Sequence, residues 1–332
     1  MKKRIISIAL RTFISVGLIV LLLYIMRGKY DEIWSAIKGS QPLLLILAIA
    51  AFVLAMGFAS FRMVLIINAQ SGTTVTFAEA FSLTFIGYFF NNFLPTSIGG
   101  DVAKAYYLSK KSAEKLGSFT SIFIDRVIGL ITMIFMAAAA LLFVKNQFID
   151  VNVKCMIYAI TLCSLLAIVF SMNKNFAKKF SVLLFFIKPM EDKLRRIYNA
   201  IHSYKKHSGM LWKALIISVV SQALFFVSIG VIAASIGAII PPLDILLRMP
   251  IICAISLLPS INGLGVREGS TVMLLGPVIG KESAFAVGIL WFMMLLVVSV
   301  AGGLIYAFSP QFKMKWGDIE KIEKEDEEVE AA

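Results

Sequence analysis

The sequence predicts an all-α polytopic membrane protein with about six full spans, two re-entrant half-helix segments and an inverted repeat. Three observations carry that expectation. The 332 residues are 59% hydrophobic and only 16% charged, where an ordinary soluble domain is about a quarter charged. Several apolar runs approach or exceed the roughly 18 residues that suggest a helical membrane crossing. Two shorter apolar runs each end in Leu-Pro and then glycine, at matching places in the two halves of the chain.

The elements follow in order. MKKR leads into an apolar stretch reaching Met26. No small-x-small cleavage site follows, so residues 5–26 read as an uncleaved first span, with Arg11 able to snorkel to the cytoplasmic face. Further full spans are expected at 42–67, 119–144, 154–172, 211–237 and 284–308. The segments 77–94 and 243–258 are short for a crossing, and proline and glycine would break a helix that tried to continue. Both read as half-helices or re-entrant segments. Residues 1–312 then form one membrane domain, with repeat halves at about 1–150 and 151–312. Residues 313–332 form an acidic, solvated cytoplasmic tail.

The formal net charge is +12, and its distribution points to a membrane face rather than nucleic acid. Lys and Arg cluster between apolar runs, most densely in 173–213, where Lys174, Lys178, Lys179, Arg195 and Arg196 face only Glu191 and Asp192. By the positive-inside rule that segment and both termini are cytoplasmic. Within it, FAKKFSVLLFFIKPM reads either as an interfacial segment or as a loop helix packed on the bundle. Cys155, Cys163 and Cys253 have no metal-ligand spacing and read as small apolar fillers. His202 and His207 form no HExxH pattern, and neither a Walker A nor a dinucleotide glycine motif occurs. No cofactor or metal is expected.

The two breaks read LPTSIGGDVAK, from Leu94 to Lys104, and LPSINGLGVRE, from Leu258 to Glu268. With an odd number of full crossings in each half, the second half inserts upside down relative to the first, the pattern of secondary transporters. Backbone groups freed by a break must face protein or a watery cavity. A helix starting near Asp101 or Arg267 would aim its positive end into that cavity, where an anionic group suits it. Asn91, Asn92, Gly99, Gly100, Asp101 and Lys104 are the candidates for one side. Asn262, Gly263, Gly265, Arg267 and Glu268 are those for the other, with Arg267 offering a planar fork for phosphate and Glu268 orienting it or taking a proton. Asp125 and Arg126, inside the 119–144 run, support the cytoplasmic mouth, Asp125 holding Arg126 for a lipid phosphate.

Blander readings stand beside these. The asparagines cap helix ends, Asp125–Arg126 is a structural ion pair, and Arg267–Glu268 is a surface pair at the external face. Arg62 snorkels to the surface, with a site role as the alternative. Asp31-Glu32, in the first external connection, is the one hint of a membrane-embedded transferase acting on a lipid-linked substrate; a solvated pair at a span end explains it more simply.

Three features, NNFLPTSIGGDVAK, the Asp125-Arg126 pair and LPSINGLGVREG, together resemble the lysylphosphatidylglycerol synthase transmembrane-region family. The likeness runs from about the first span to the last. It implies the lipid-translocating membrane part without the soluble aminoacyltransferase, for which the chain has no room after its last span. The implied partners are membrane lipids, either anionic or aminoacylated phospholipids or polyprenyl-linked lipids, together with a separate lipid-modifying synthase. Where that family often carries arginine after its first Gly-Gly-Asp, this chain has Lys104, which keeps the charge and loses the fork.

Overall fold

The computed structural model describes residues 30–69, 74–93, 99–111, 115–142, 208–256 and 263–312, with Tyr24 and scattered positions from Lys154 to Leu162. The expected span at 5–26, most of the run at 154–172, most of the basic segment 173–213, the 313–332 tail and the two Leu-Pro dipeptides lie outside the described residues. All the described structure is helical or turn, and no strand occurs among the described residues.

A short amphipathic helix opens it, α1 (Tyr30–Lys38), with Asp31 and Glu32 in its first turn and Lys38 in its last, signs that complement the helix dipole. Its Ile33 is buried while Tyr30 and Trp34 are exposed. Then come α2 (Pro42–Asn68), with proline at its start, α3 (Phe77–Phe93), α4 (Gly99–Lys111) and α5 (Lys115–Leu141). The second half supplies α6 (Ser208–Ser235), α7 (Pro242–Ile255), α8 (Val266–Ile279) and α9 (Lys281–Phe308), closed by a 3₁₀ turn at Pro310–Phe312.

Among the described residues, four stretches are long and apolar enough to cross a membrane: Pro42–Asn68, Gly117–Leu141, Gly209–Ser235 and Lys281–Phe308. They match the expected spans to within a few residues. At 25–28 residues each, they extend about 40 Å, more than the ~30 Å hydrocarbon core of a bilayer. Their outer faces carry exposed large apolar side chains, including Leu43, Ile46 and Leu47 on α2, Trp212 and Ile216 on α6, and Val300 and Leu304 on α9. In water such faces would be a liability; against lipid tails they are at home.

The short segments are not isolated half-helices. Each is the first arm of a helical hairpin whose second arm begins after the break: α3 with α4, and α7 with α8. The order in each half is long helix, hairpin, long helix. Packing follows the same plan. Helix α2 lies along α6. The hairpin arm α3 packs on α9 of the other half, and α7 packs on α5. The second arms α4 and α8 pack on the long helices that follow them. Helix α9 is the most enclosed of the four spans, with 61% of its apolar window buried against 28–33% in the others.

Small residues let these helices meet closely, as is usual where no hydrophobic drive separates protein from lipid. A Cβ at Gly302 of α9 would lie 2.0 Å from the Phe85 carbonyl oxygen of α3. A Cβ at Gly100 of α4 would lie 2.2 Å from the Gly87 carbonyl oxygen of α3. Neither contact admits a side chain. The first seats α3 against α9, and the second closes the α3–α4 hairpin on itself.

Candidate functional site

Helices α4 and α8 start in different ways, and both starts bring charge inward. At α4, the Asn91 Oδ1 on the neighbouring arm accepts from the Gly100 N–H at 2.7 Å. This caps a helix start with a side chain from the other arm of the hairpin. At α8, Gly263 and Gly265 take φ of +74° and +81°, a left-handed region open to glycine and costly for other residues. That turn releases the chain into α8 with Glu268 one turn in, where its Oε2 accepts from the Gly265 N–H at 2.6 Å. This is the acidic half of a capping box.

Between the hairpins lies a cavity of about 370 Å³, within the ~300–1,000 Å³ typical of ligand pockets. Both hairpins line it, through Asn91, Asp101, Lys104, Ser256 and Arg267, and so do all four long helices. Arg62 comes from α2, Asp125 and Arg126 from α5, Gln222 from α6 and Trp291 from α9. Phe52, Met133 and Phe225 are among the apolar walls.

Three ionic groups organise the polar wall. Arg62 grips Asp125 in a bidentate pair, Nε to Oδ1 at 2.7 Å and Nη2 to Oδ2 at 3.1 Å. Its Nη1 donates to Ser218 Oγ at 2.7 Å, so α2, α5 and α6 are joined at one guanidinium. Asp101 serves two cations: Arg126 Nη1 donates to its Oδ2, and Lys104 Nζ stands 3.6 Å from its Oδ1. Arg267 donates to Glu268 Oε1 from Nε at 3.1 Å and Nη2 at 2.5 Å. Its guanidinium carbon lies 5.2 Å from the ring centroids of both Trp291 and Phe292, within cation–π range. Glu268 is thus engaged through both oxygens, and Gly288 of α9 leaves room for it: a Cβ there would touch the Glu268 Cα at 3.4 Å.

The structure changes several assignments made from sequence. Asp125 holds Arg62, not Arg126, because consecutive residues on a helix point about 100° apart and do not face each other. Asp101 holds Arg126 instead. Arg62 does not snorkel; it is 6% exposed and turned into the bundle. Arg267 and Glu268 are buried, at 2% and 7%, and hydrogen-bonded to each other, so they are not a surface pair. Asn91, Asp101, Lys104, Asp125, Arg126 and Arg267 line the cavity. Gly99 and Gly100 are buried at the start of α4, with Gly100 against α3. Asn92, Gly263, Gly265 and Glu268 are not among the lining residues, and Asn262 lies outside the described residues. Asp31 and Glu32 are exposed on α1 and do not line the cavity.

Sequence reasoning left a site role for Arg62 open beside snorkelling and did not single out Gln222 or Trp291, and all three line the cavity. For Arg62 a signal existed. Ala48, Phe52 and Ala55 are buried on α2, and continuing their 3–4 spacing through Ala59 lands on Arg62, which places the arginine on the packed face. For Gln222 and Trp291 no comparable signal exists.

The family model described as "Lysylphosphatidylglycerol synthase TM region" matches residues 8–303. The chain belongs to that family. Membership and the four long apolar helices together make this lysylphosphatidylglycerol synthase transmembrane-region protein an integral membrane protein with a lipid-related role. No curated relative matches the chain.

Proposed function

We propose that the protein is a lipid translocator, moving an anionic or aminoacylated phospholipid or a polyprenyl-linked lipid between leaflets of the cell membrane. One observation carries the reading: two broken-helix hairpins, one from each half, contribute charged side chains to the same cavity among the long apolar helices. Paired broken helices meeting at a polar site are how membrane transporters hold a charged group within a bilayer. The headgroup occupies the cavity and the chains stay in lipid. Asn91, Asp101, Lys104, Arg126 and Arg267 contact it. Gly99, Gly100, Asn92, Gly263, Gly265 and Glu268 hold those residues in place, with Asn262 completing the second break.

The reading extends to topology. It takes six spans and two re-entrant hairpins in inverted halves, with both termini cytoplasmic by the positive-inside rule; the exchange by which α3 meets α9 as α7 meets α5 supports the repeat. A separate synthase supplies the lipid where it is a modified one.

The test is lipid movement in proteoliposomes holding the purified full chain, with phosphatidylglycerol, its lysyl ester and a polyprenyl phosphate as separate substrates. Movement of one of them, lost in Arg267→Ala and in Gly100→Leu, is the expected result. Absence of movement for all three from folded protein rejects the translocator.

A further inference from the structure

The charge pattern of the cavity selects among those headgroups. Every carboxylate on or directly behind its wall is already engaged. Asp125 has both oxygens on Arg62. Asp101 has one oxygen on Arg126 and the other near Lys104. Glu268 has one on Arg267 and one on a backbone N–H. Among the described residues, no carboxylate at the cavity is left to receive an ammonium group.

Donors, by contrast, are in surplus. Lys104 and Arg126 share the single Asp101 carboxylate, so one positive charge there is unbalanced. Arg267 uses Nε and Nη2 on Glu268, leaving Nη1 without an acceptor among the described residues. Trp291 is 5% exposed and lines the cavity, yet its indole Nε1 has no hydrogen-bond partner among the described residues. A buried N–H left unpaired is destabilising, and a ligand oxygen that reaches it would relieve it.

We infer that the cavity takes a lipid headgroup consisting of one anionic phosphate ester without an ammonium substituent, and that the Trp291 Nε1–H is one of its specificity-determining donors. This inference rests on the translocator reading and narrows it. The phosphate takes the surplus charge of Lys104 and Arg126, and a phosphate or hydroxyl oxygen accepts from Trp291 and Arg267. A lysyl ester brings two ammonium groups to a wall that already carries one excess positive charge. It meets repulsion without a compensating carboxylate, which is costly at low dielectric. Phosphatidylglycerol and a polyprenyl monophosphate share the favoured chemistry, and the experiment separates them.

The experiment is equilibrium binding to the full-length protein in detergent, measured by native mass spectrometry, with phosphatidylglycerol, lysyl-phosphatidylglycerol and polyprenyl monophosphate titrated separately. At least one of the two ammonium-free lipids should bind about tenfold or more tightly than the lysyl ester, as expected where charge-assisted hydrogen bonds decide. Trp291→Phe keeps a ring beside Arg267 and removes only the N–H, and should weaken the favoured lipid about tenfold. Lys104→Glu should move the preference toward the lysyl ester. Lysyl ester binding as tight as the others overturns the inference and leaves the translocator intact. Unchanged binding in Trp291→Phe removes Trp291 from the headgroup site. Failure of all three lipids to bind folded protein overturns the translocator reading as well.

Discussion

Removing the Asp125 carboxylate should destabilise the bundle by stranding the Arg62 guanidinium inside it. The Arg62 and Asp125 side chains are 7% and 15% exposed, and Asp125 supplies two of the three hydrogen bonds that Arg62 makes to side chains. Asp125→Ala leaves that guanidinium enclosed, with Ser218 as its remaining side-chain partner. Breaking a buried pair in this way costs about 3–5 kcal/mol, largely as the penalty of an uncompensated charge. Replacing both partners with apolar groups of similar size, as in Arg62→Met with Asp125→Leu, removes the penalty and the attraction together, so most of the lost stability should return. Unfolding of purified protein in a denaturing-detergent titration measures all three variants and wild type, and the cycle isolates the coupling between the residues. A double variant no more stable than Asp125→Ala would refute the argument, because the loss would then come from packing rather than from a stranded charge.

Gly100→Ala should lower stability in the same titration by about 1–3 kcal/mol, because its Cβ meets backbone, the Gly87 carbonyl oxygen at 2.2 Å. Gly87→Ala should leave the unfolding midpoint nearly unchanged while reducing lipid translocation, since the one tight contact of its Cβ is the flexible Lys104 Cε at 2.7 Å, which can move aside, while the Gly100 carbonyl oxygen at 3.6 Å is at ordinary van der Waals distance. Arg267→Lys should cut translocation without unfolding the protein, because an ammonium cannot keep the forked contact with Glu268 while presenting a further N–H to the cavity; wild-type rates in that variant would remove the fork from the mechanism. Asn91→Ala should cost about 0.5–2 kcal/mol by uncapping the Gly100 N–H, measurable as faster amide exchange across the start of α4.

Much of the fold was legible in the sequence because membrane spans announce themselves by composition alone. The four described long helices fall where unbroken apolar runs fall, and no tertiary knowledge is needed to find them. The breaks were legible for a related reason: polar and glycine-rich stretches such as SIGGDVAK stand out against 59% hydrophobic surroundings. Which side chains meet was not legible. Arg62 and Asp125 are 63 residues apart in sequence, and Arg62 and Ser218 are 156 apart, so nothing local links them. The adjacency of Asp125 and Arg126 in sequence was misleading for the opposite reason, since neighbours on a helix diverge. Gly100 stood out as a helix breaker, yet in the structure it is where two helices come into backbone contact.

The three ionic groups differ in how completely they are satisfied, and that difference separates scaffold from site. Arg62–Asp125 joins long helices to one another and has its charges matched one to one, so it has little to offer a ligand. Arg267–Glu268 is matched in charge, but its geometry leaves one guanidinium nitrogen and the neighbouring Trp291 N–H for something else. Asp101 is the shared partner, one carboxylate for Arg126 and Lys104, and it joins a short hairpin arm, α4, to a long helix, α5. On the translocator reading, a phosphate entering beside Lys104 and Arg126 competes with Asp101 for the same donors. Whatever Arg126 gives to the phosphate it withdraws from Asp101, and the α4–α5 contact weakens as the headgroup binds. Binding energy would then loosen the first hairpin while the Arg62–Asp125 pair keeps the surrounding long helices together.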